Sequence, residues 1–353
     1  MKKQLIQFVG GVGFVLMGGG GAIAQTLNGL PFEETFRGGT LTNPNPGAYT
    51  INGTQNAQGS SICLTGSTNQ AQTPLPGCAP NSPGLPAGGD VLDQGALRLT
   101  GNREFRRGAG DETVGEEGFF VFNSSLATTN GLIFEFDFFT YNGQSFLAGN
   151  APGGDGFSFF LIEDTAGTNQ PFTGNPGGFG GSLGYAQRRT GTINVNGLAN
   201  AYIGIGFDDF GNFSNNGEGR GEGTDPNANA GNVLRPNSVG LRAGAVNNYR
   251  VLPINGQPAV TLPQSLSFPA TNGTNSPRPA QGKRGRITIT DTNLLTVEVD
   301  GIAVVSNFDL NTIANQRLPQ FFKFGFGAAT GTSTAIHEIR NVTVRPVRPP
   351  VVP

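Results

Sequence analysis

Apolar and polar residues alternate in several short runs of the chain, which is the pattern of β-strands with one buried face. In the run 132–138 every even position is leucine or phenylalanine, whereas Glu135 and Asp137 lie at odd positions. Similar alternation recurs at 157–161, 203–207, 287–289, 295–299 and 322–326. Asp300-Gly301 follows one of these runs and is a strong signal for a two-residue hairpin turn. The pattern predicts an all-β protein built as a large antiparallel sandwich.

The residues between these runs are turn formers, and no run has the spacing of an amphipathic helix. The chain has 353 residues with 57 Gly, 24 Pro and 27 Phe, so phenylalanine must supply much of the core. We expect a single domain over residues 25–345, with Gly/Asn/Pro-rich loop inserts at 40–90 and 214–236. Residues 346–353 form a proline-rich tail.

The first 24 residues have the layout of a secretory signal peptide of bacterial type. Met1-Lys2-Lys3 is positively charged, residues 5–17 are mostly apolar, and Ala22-Ile23-Ala24 is a small-residue cleavage site. The alternative, a membrane anchor, is disfavoured because the run is short and rich in glycine. We therefore expect a secreted or cell-surface protein, with no membrane span in its mature form.

The chain has two cysteines, Cys63 and Cys78, which lie 15 positions apart in a loop-like segment. Exported proteins meet an oxidising environment. We therefore predict that the two cysteines form a disulfide; the alternative is a pair of free thiols.

The charge composition excludes two classes of function. The formal net charge is −2 and charged residues make up 13% of the chain, so there is no basic surface for nucleic acid. One histidine and two cysteines are too few for a zinc cluster.

Four glycine-rich segments, taken in order, carry the strongest functional signal. They are Gly153-Gly154-Asp155-Gly156-Phe157, Gly180-Gly181-Ser182-Leu183-Gly184, Phe207-Asp208-Asp209-Phe210-Gly211-Asn212, and Phe324-Gly325-Phe326-Gly327-Ala328-Ala329-Thr330-Gly331 followed by His337-Glu338-Ile339. Over residues 90–345 this order resembles the L-type (legume-like) lectins. The resemblance implies the concanavalin A-like jelly-roll β-sandwich of that family.

The resemblance also implies a carbohydrate site. Asp155 would accept hydrogen bonds from two sugar hydroxyls, the backbone N–H of Gly181 and the side chain of Asn212 would each donate one, and the ring of Phe210 would stack on the sugar. This chemistry suits a sugar, because a carboxylate accepts O–H bonds and an aromatic ring covers a C–H face. The resemblance further suggests a cis peptide bond before Asp155. Each residue also has a structural interpretation, as a turn or core residue.

For a metal, the resemblance implies calcium held by Asp208, the carbonyl of Phe210, Asn212 and Asp225. Because Asp225 is distant from Asn212 in sequence, Glu218 and Glu222 are alternative acids. Gly206 and Ser238 stand where the family has a glutamate and a histidine, so no transition metal is expected. The alternative is a metal-free loop in which Asp208 pairs with Arg235 or Arg242.

We therefore expect a non-catalytic, carbohydrate-binding protein, with calcium as the only cofactor considered. One alternative is a structural or adhesive surface protein of the same fold that does not bind sugar. A second is a glycan hydrolase, which would need paired carboxylates on one strand. Its nearest candidate pair, Glu135 and Asp137, is followed by Thr140 where the family of glucanases has a third acid.

Overall fold

Two antiparallel β-sheets, stacked on a phenylalanine-rich core, form the body of the protein. The computed structural model describes residues 30–56, 59–102, 105–106, 113–145, 153–191, 193–221, 233–269 and 276–348. The predicted signal peptide, Asp225 and the end of the predicted tail lie outside these residues. The predicted all-β sandwich of jelly-roll type is confirmed.

The strands are numbered in chain order. They are β1 Phe32–Glu34, β2 Tyr49–Gly53, β3 Gln55–Asn56, β4 Gly59–Ser60, β5 Cys63–Leu64, β6 Leu97–Thr100, β7 Phe105–Arg106, β8 Thr113–Val114, β9 Glu117–Ala127, β10 Leu132–Gln144, β11 Gly156–Glu163, β12 Arg188–Thr190, β13 Ile193–Val195, β14 Ala201–Asp208, β15 Ser238–Ala243, β16 Val251–Leu252, β17 Ala259–Thr261, β18 Lys283–Ile289, β19 Leu294–Val299, β20 Ile302–Asp309, β21 Phe321–Ala329 and β22 Thr334–Pro346.

Helical structure in the described residues is limited to single 3₁₀ turns. They lie at Pro46–Ala48, Gly180–Ser182, Gly217–Gly219, Ala245–Asn247 and Leu310–Thr312. Within the part of the chain that the structure describes, none of the helices has the length and apolar character needed to cross a membrane.

The first sheet has the strand order β20-β19-β18-β10-β22-β6-β5, and β1 also pairs with β22. The second sheet has the order β16-β15-β14-β11-β21-β9-β2, and β17 also pairs with β15. The hairpin predicted at Asp300-Gly301 joins β19 to β20, and both turn residues have positive φ, as a tight hairpin turn requires.

The core lies between the sheets and gathers side chains from Leu30 to Val344. The even positions of β10 face inward, as predicted. The ring centroid of Phe136 lies 5.0 Å from that of Phe326 in the other sheet, and Phe134 lies 5.0 Å from Phe159. These contacts explain why an alternating phenylalanine pattern determines how the two sheets stack.

The second sheet is also covered on its outer face. Along β9, Phe120 and Phe122 point into the main core, whereas Phe119 and Val121 join a second apolar cluster outside the sheet. That cluster includes Tyr185, from the segment after the glycine-rich turn at 180–184. A continuous apolar run such as 119–122 is typical of a strand buried on both faces.

The predicted disulfide is present: Cys63 and Cys78 are bonded, with their Cα atoms 4.9 Å apart. The segment 40–90 is more than a loop insert, because it supplies β2 to the second sheet and β5 to the first. The bond therefore closes a loop that begins within the first sheet.

Three neighbouring strands of the second sheet meet at one edge of the sandwich. Gly156 at the start of β11 pairs with Asp208 at the end of β14 and with Ala329 at the end of β21. The segments next to these three residues therefore lie side by side, although they are far apart in sequence.

Candidate functional site

A small cleft of about 170 Å³ lies at this edge of the second sheet. It contains all four residues predicted to contact a sugar, namely Asp155, Gly181, Phe210 and Asn212. The other residues that line it are Gly180, Arg188, Glu218, Gly331, Thr332 and Ser333. The fold thus brings together segments that the sequence separates by up to about 180 positions.

Asp155 lies at the base of the cleft and is only 4% exposed. Its Oδ1 accepts a hydrogen bond of 3.1 Å from the side-chain amide of Asn212. Its Oδ2 lies 3.0 Å from the position that a Cβ would take on Gly331, so glycine there keeps the carboxylate accessible. The Gly154–Asp155 peptide bond is cis, as the resemblance suggested.

The charge on Asp155 depends on its surroundings. Burial raises the pKa of this carboxyl to about 7, and the nearby Arg220 and the hydrogen bond from Asn212 act in the opposite direction. Burial thus favours the protonated form, whereas Arg220 and Asn212 favour the ionised form, as would a ligand that donates hydrogen bonds.

Gly181 lies against Asn212, and its lack of a side chain is required there. A Cβ at Gly181 would come within 2.1 Å of Asn212 Oδ1. The Gly180–Ser182 turn is a 3₁₀ turn, and the first N–H groups of such a turn have no partner within it. Gly181 therefore gives the Asn212 amide the space to reach Asp155.

Phe210 is half-buried and forms one wall of the cleft. Its backbone N–H donates a 3.0 Å hydrogen bond to the carbonyl of Asp155, which ties the two residues together. Phe210 is therefore not part of the core, whereas Phe207, three positions earlier, belongs to it.

Asp208, the first predicted calcium ligand, is fully buried and closes a turn. Its Oδ1 accepts the N–H of Gly211 at 2.7 Å, and its Oδ2 accepts the N–H of Phe213 at 2.6 Å. Burial raises the pKa of Asp208 to about 7, while these two backbone donors lower it. Both carboxylate oxygens are thus engaged by the loop that follows β14.

The oxygen atoms that the described residues offer do not fit the calcium ion that the resemblance implies. Asp208 already binds two N–H groups, and Asp225 lies outside the described residues. Asn212 Oδ1 is buried without a hydrogen-bond partner, so it is available to a cation. In the described ranges, however, no three histidine, cysteine or acidic side chains form a group able to hold a metal ion. Calcium needs six to eight oxygen ligands.

The alternative acid Glu218 is occupied as well. Its Oε1 binds Arg188 at 2.8 Å and its Oε2 binds Arg220 at 2.6 Å. Glu222, the other alternative, lies outside the described residues.

The space beside Gly206, where the family has a glutamate, is filled. A Cβ at Gly206 would come within 2.2 Å of the ring of Phe213. Ser238, which stands at the histidine position, donates its hydroxyl to the carbonyl of Arg235 at 2.6 Å. Both positions therefore have structural roles in this loop.

A larger open cleft of about 660 Å³ lies elsewhere, between residues 80–94 and 277–280. Proline residues form much of its lining, and Arg278, one of its two arginines, is paired with Asp90 and Glu338. Size alone would favour this cleft, but the Asp155 cleft combines a carboxylate with a half-buried phenylalanine in its lining, and we take it as the functional site.

The pair of acids considered for a hydrolase lies far from the cleft, on the outer face of the first sheet. Asp137 binds Arg284 at 3.0 Å, and Glu135 lies 3.6 Å from Arg284 and 3.5 Å from Arg345. Both acids therefore take part in surface ion pairs.

Sequence reasoning missed two cationic residues of the site. Arg188 lies over the ring of Phe179, with its guanidinium carbon 4.0 Å from the ring centroid, and Arg220 is 2% exposed. Each follows a glycine-rich segment in a chain with few charged residues, and that placement was the available signal.

No protein-family model matches the chain, and no curated protein matches its sequence. Solved structures of L-type lectins are similar to it in fold. The exoplasmic/lumenal domain of VIP36 in its Ca²⁺/Man3GlcNAc-bound form is 12% identical, with 91% of this chain and 93% of that chain covered and a TM-score of 0.43. The Lotus tetragonolobus seed lectin is 14% identical, with 90% and 100% covered and a TM-score of 0.43.

The carbohydrate recognition domain of Emp47p is 16% identical, with 72% of this chain and 85% of that chain covered and a TM-score of 0.36. All three matched structures are L-type lectins, the family that the order of the four glycine-rich segments resembles.

Proposed function

We propose that this protein binds carbohydrate without chemically altering it, and that the sugar occupies the Asp155 cleft. One observation carries the proposal: a nearly buried carboxylate and a half-buried phenylalanine line the same cleft. A sugar ring offers adjacent hydroxyl groups to the carboxylate and a C–H face to the phenylalanine ring.

The position of each residue in the cleft supports the role that we propose for it. Asp155 Oδ2 accepts sugar hydroxyls, while Oδ1 is held by Asn212. The Gly181 N–H donates to the sugar, and the Phe210 ring stacks on it. Asn212 contributes by fixing the carboxylate as well as through its own amide.

A non-catalytic role is supported by the second acid of the cleft. Glycoside cleavage needs two placed carboxyl groups, one as general acid and the other as base or nucleophile. Both oxygens of Glu218 are engaged in ion pairs, Oε1 with Arg188 and Oε2 with Arg220, so neither is free for such a role.

Binding is tested with the full chain on a panel of immobilised glycans, followed by titration of the best ligand. We expect Asp155→Asn and Phe210→Ala each to weaken binding by about tenfold to a hundredfold, the effect of losing a charged acceptor or a stacking ring. Glu163→Gln, exposed at the far end of β11, and Phe308→Ala, on the first sheet, serve as controls. If both cleft variants bind as the unaltered protein does, the site is elsewhere.

The same panel separates the alternatives. A chain that binds no glycan would support the structural or adhesive function. Release of reducing sugar from common glucans would support a hydrolase and contradict the proposal.

We further propose that the protein is exported by the signal peptide and acts outside the cytoplasm. The disulfide supports this, since such bonds persist in oxidising compartments. The N-terminal sequence of the mature protein should begin at Gln25; a chain that retains residues 1–24 would contradict the proposal.

A further inference from the structure

We infer that two buried arginines, Arg220 and Arg242, hold the 211–221 loop in place of a metal ion, so that the glycan site works without calcium. The inference builds on the proposed function only for its binding measurement. Its other measurements concern the folded chain itself.

Arg242 binds backbone carbonyl groups of the loop. It is fully buried on β15, and its guanidinium donates to the carbonyl oxygens of Phe213 at 2.7 Å, Tyr249 at 2.6 Å and Asn215 at 2.6 Å. A bound calcium ion would organise a loop in a similar way, by collecting carbonyl and side-chain oxygens around one positive charge.

Arg220 extends this arrangement towards the cleft. Its Nη1 donates to Asn215 Oδ1 at 2.6 Å, and its Nη2 pairs with Glu218 Oε2 at 2.6 Å. Glu218 Oε1 in turn binds Arg188 at 2.8 Å, so Arg220 is connected through Glu218 to two residues that line the cleft.

The remaining contacts of the 211–221 loop anchor it without a metal ion. Asp208 uses both oxygens on the N–H groups of Gly211 and Phe213, which closes the turn that presents Phe210 and Asn212. Phe213 then fills the space beside Gly206, and the Arg242 guanidinium lies 5.2 Å from its ring centroid. The loop is therefore anchored by a carboxylate, an aromatic ring and two guanidinium groups of the chain itself.

The first experiment compares the full chain in excess EDTA and in millimolar calcium. We expect the same melting temperature, the same glycan affinity and no stoichiometric calcium by elemental analysis. A calcium ion present at about 100 times its Kd would instead raise the melting temperature by degrees. Stoichiometric calcium together with such a rise would overturn the inference, whether or not a glycan ligand has been found.

The second experiment replaces the cation. We expect Arg220→Gln to weaken glycan binding by about tenfold or more, with no recovery on adding calcium, because Glu218 in the cleft lining loses its ion pair with Arg220. Arg220→Lys should recover part of the affinity, since it restores the charge without the two-pronged geometry. Arg345→Gln, an exposed arginine on β22, is the matched control.

Two results contradict this role of Arg220: unchanged affinity in Arg220→Gln, or an affinity that calcium restores. If Arg220→Gln does not fold, the comparison of Arg220→Lys with the unaltered chain in EDTA and calcium decides. A failure to find any glycan ligand would count against the proposed function alone, because melting temperature and calcium content still test the inference.

Discussion

Gly181 has no side chain, and the position of Asn212 depends on that absence. The Asn212 amide reaches Asp155 through the space that a Cβ on Gly181 would occupy. The glycine was identified from its motif as a backbone donor, but its contact with Asn212 is a second and purely steric role.

We predict that Gly181→Ala weakens glycan binding with little change in the stability of the fold. The added methyl group displaces the Asn212 amide and releases Asp155 Oδ1. Gly38→Ala, where the nearest atom to a new Cβ is 3.8 Å away, is the control and should bind normally. Titrations of the two variants with the same glycan provide the measurement.

A double variant makes the steric explanation testable. If Gly181→Ala acts only through Asn212, combining it with Asn212→Ala should cost no more affinity than Asn212→Ala alone. Additive losses would show that Gly181 acts independently of that side chain.

At the level of elements, strand patterns and loop chemistry were predicted with different success. Alternation located the inward faces of β10, β14 and β21, because a strand places successive side chains on opposite faces regardless of its neighbours. It did not reveal that β2 and β5 lie within the segment 40–90. Those strands are short, and their pairing partners are β9 and β6.

The disulfide joins β5 to the loop that follows it. We predict that the double substitution Cys63→Ser with Cys78→Ser lowers the free energy of unfolding by roughly 3 kcal/mol, the chain-entropy estimate for a loop of about 15 residues. Glycan binding should be unchanged, because neither cysteine lines the cleft. Chemical denaturation of both proteins, with and without reductant, measures the loss; equal stability of the two would contradict it.

At the scale of the whole molecule, buried polar groups in the first sheet link stability to pH. His337 on β22 is fully buried, and its Nδ1 lies 2.7 Å from Thr100 Oγ1 on β6. Burial lowers the pKa of His337 to about 3. His337 of the unfolded chain therefore takes up a proton near pH 6.5, whereas His337 of the folded chain does not. Protonation of the unfolded state thus destabilises the fold as pH falls below that value.

We predict that the chain loses about 2 kcal/mol more stability between pH 7 and pH 5 than His337→Gln does. His337 is the one histidine of the sequence. The buried aspartates of the cleft also titrate in this range, but they do so in both proteins, so their contribution cancels. Denaturant melts at the two pH values supply the comparison, and equal losses would show that His337 is not protonated on unfolding.

Below this range a second group acts in the same direction. Glu338 is fully buried between Arg98 and Arg278, and these arginines lower its pKa to about 2 against the effect of burial. The pKa of Glu338 is lower in the folded chain than in the unfolded chain. The stabilising contribution of Glu338 is therefore present above about pH 4.5 and is lost as pH falls further.

The sequence by itself determined the features that depend on neighbouring residues. Alternation over five to seven positions determines which strand face is buried, and the separation of the two cysteines is short enough for a bond. The residues that meet in the Asp155 cleft were predicted through the family resemblance that the order of the glycine-rich segments carries, and not from alternation.

Only the tertiary structure decided what those residues are bonded to. Asp208 was predicted as a metal ligand, but the turn after β14 brings two backbone N–H groups to its oxygens. Arg242 meets the loop because β15 and the 211–221 segment pack together. The partners of Asp208 are close in sequence, but alternation does not specify how a turn is closed. The partners of Arg242 depend on where separate segments lie in space, and a pattern of neighbouring residues contains no information about that distance.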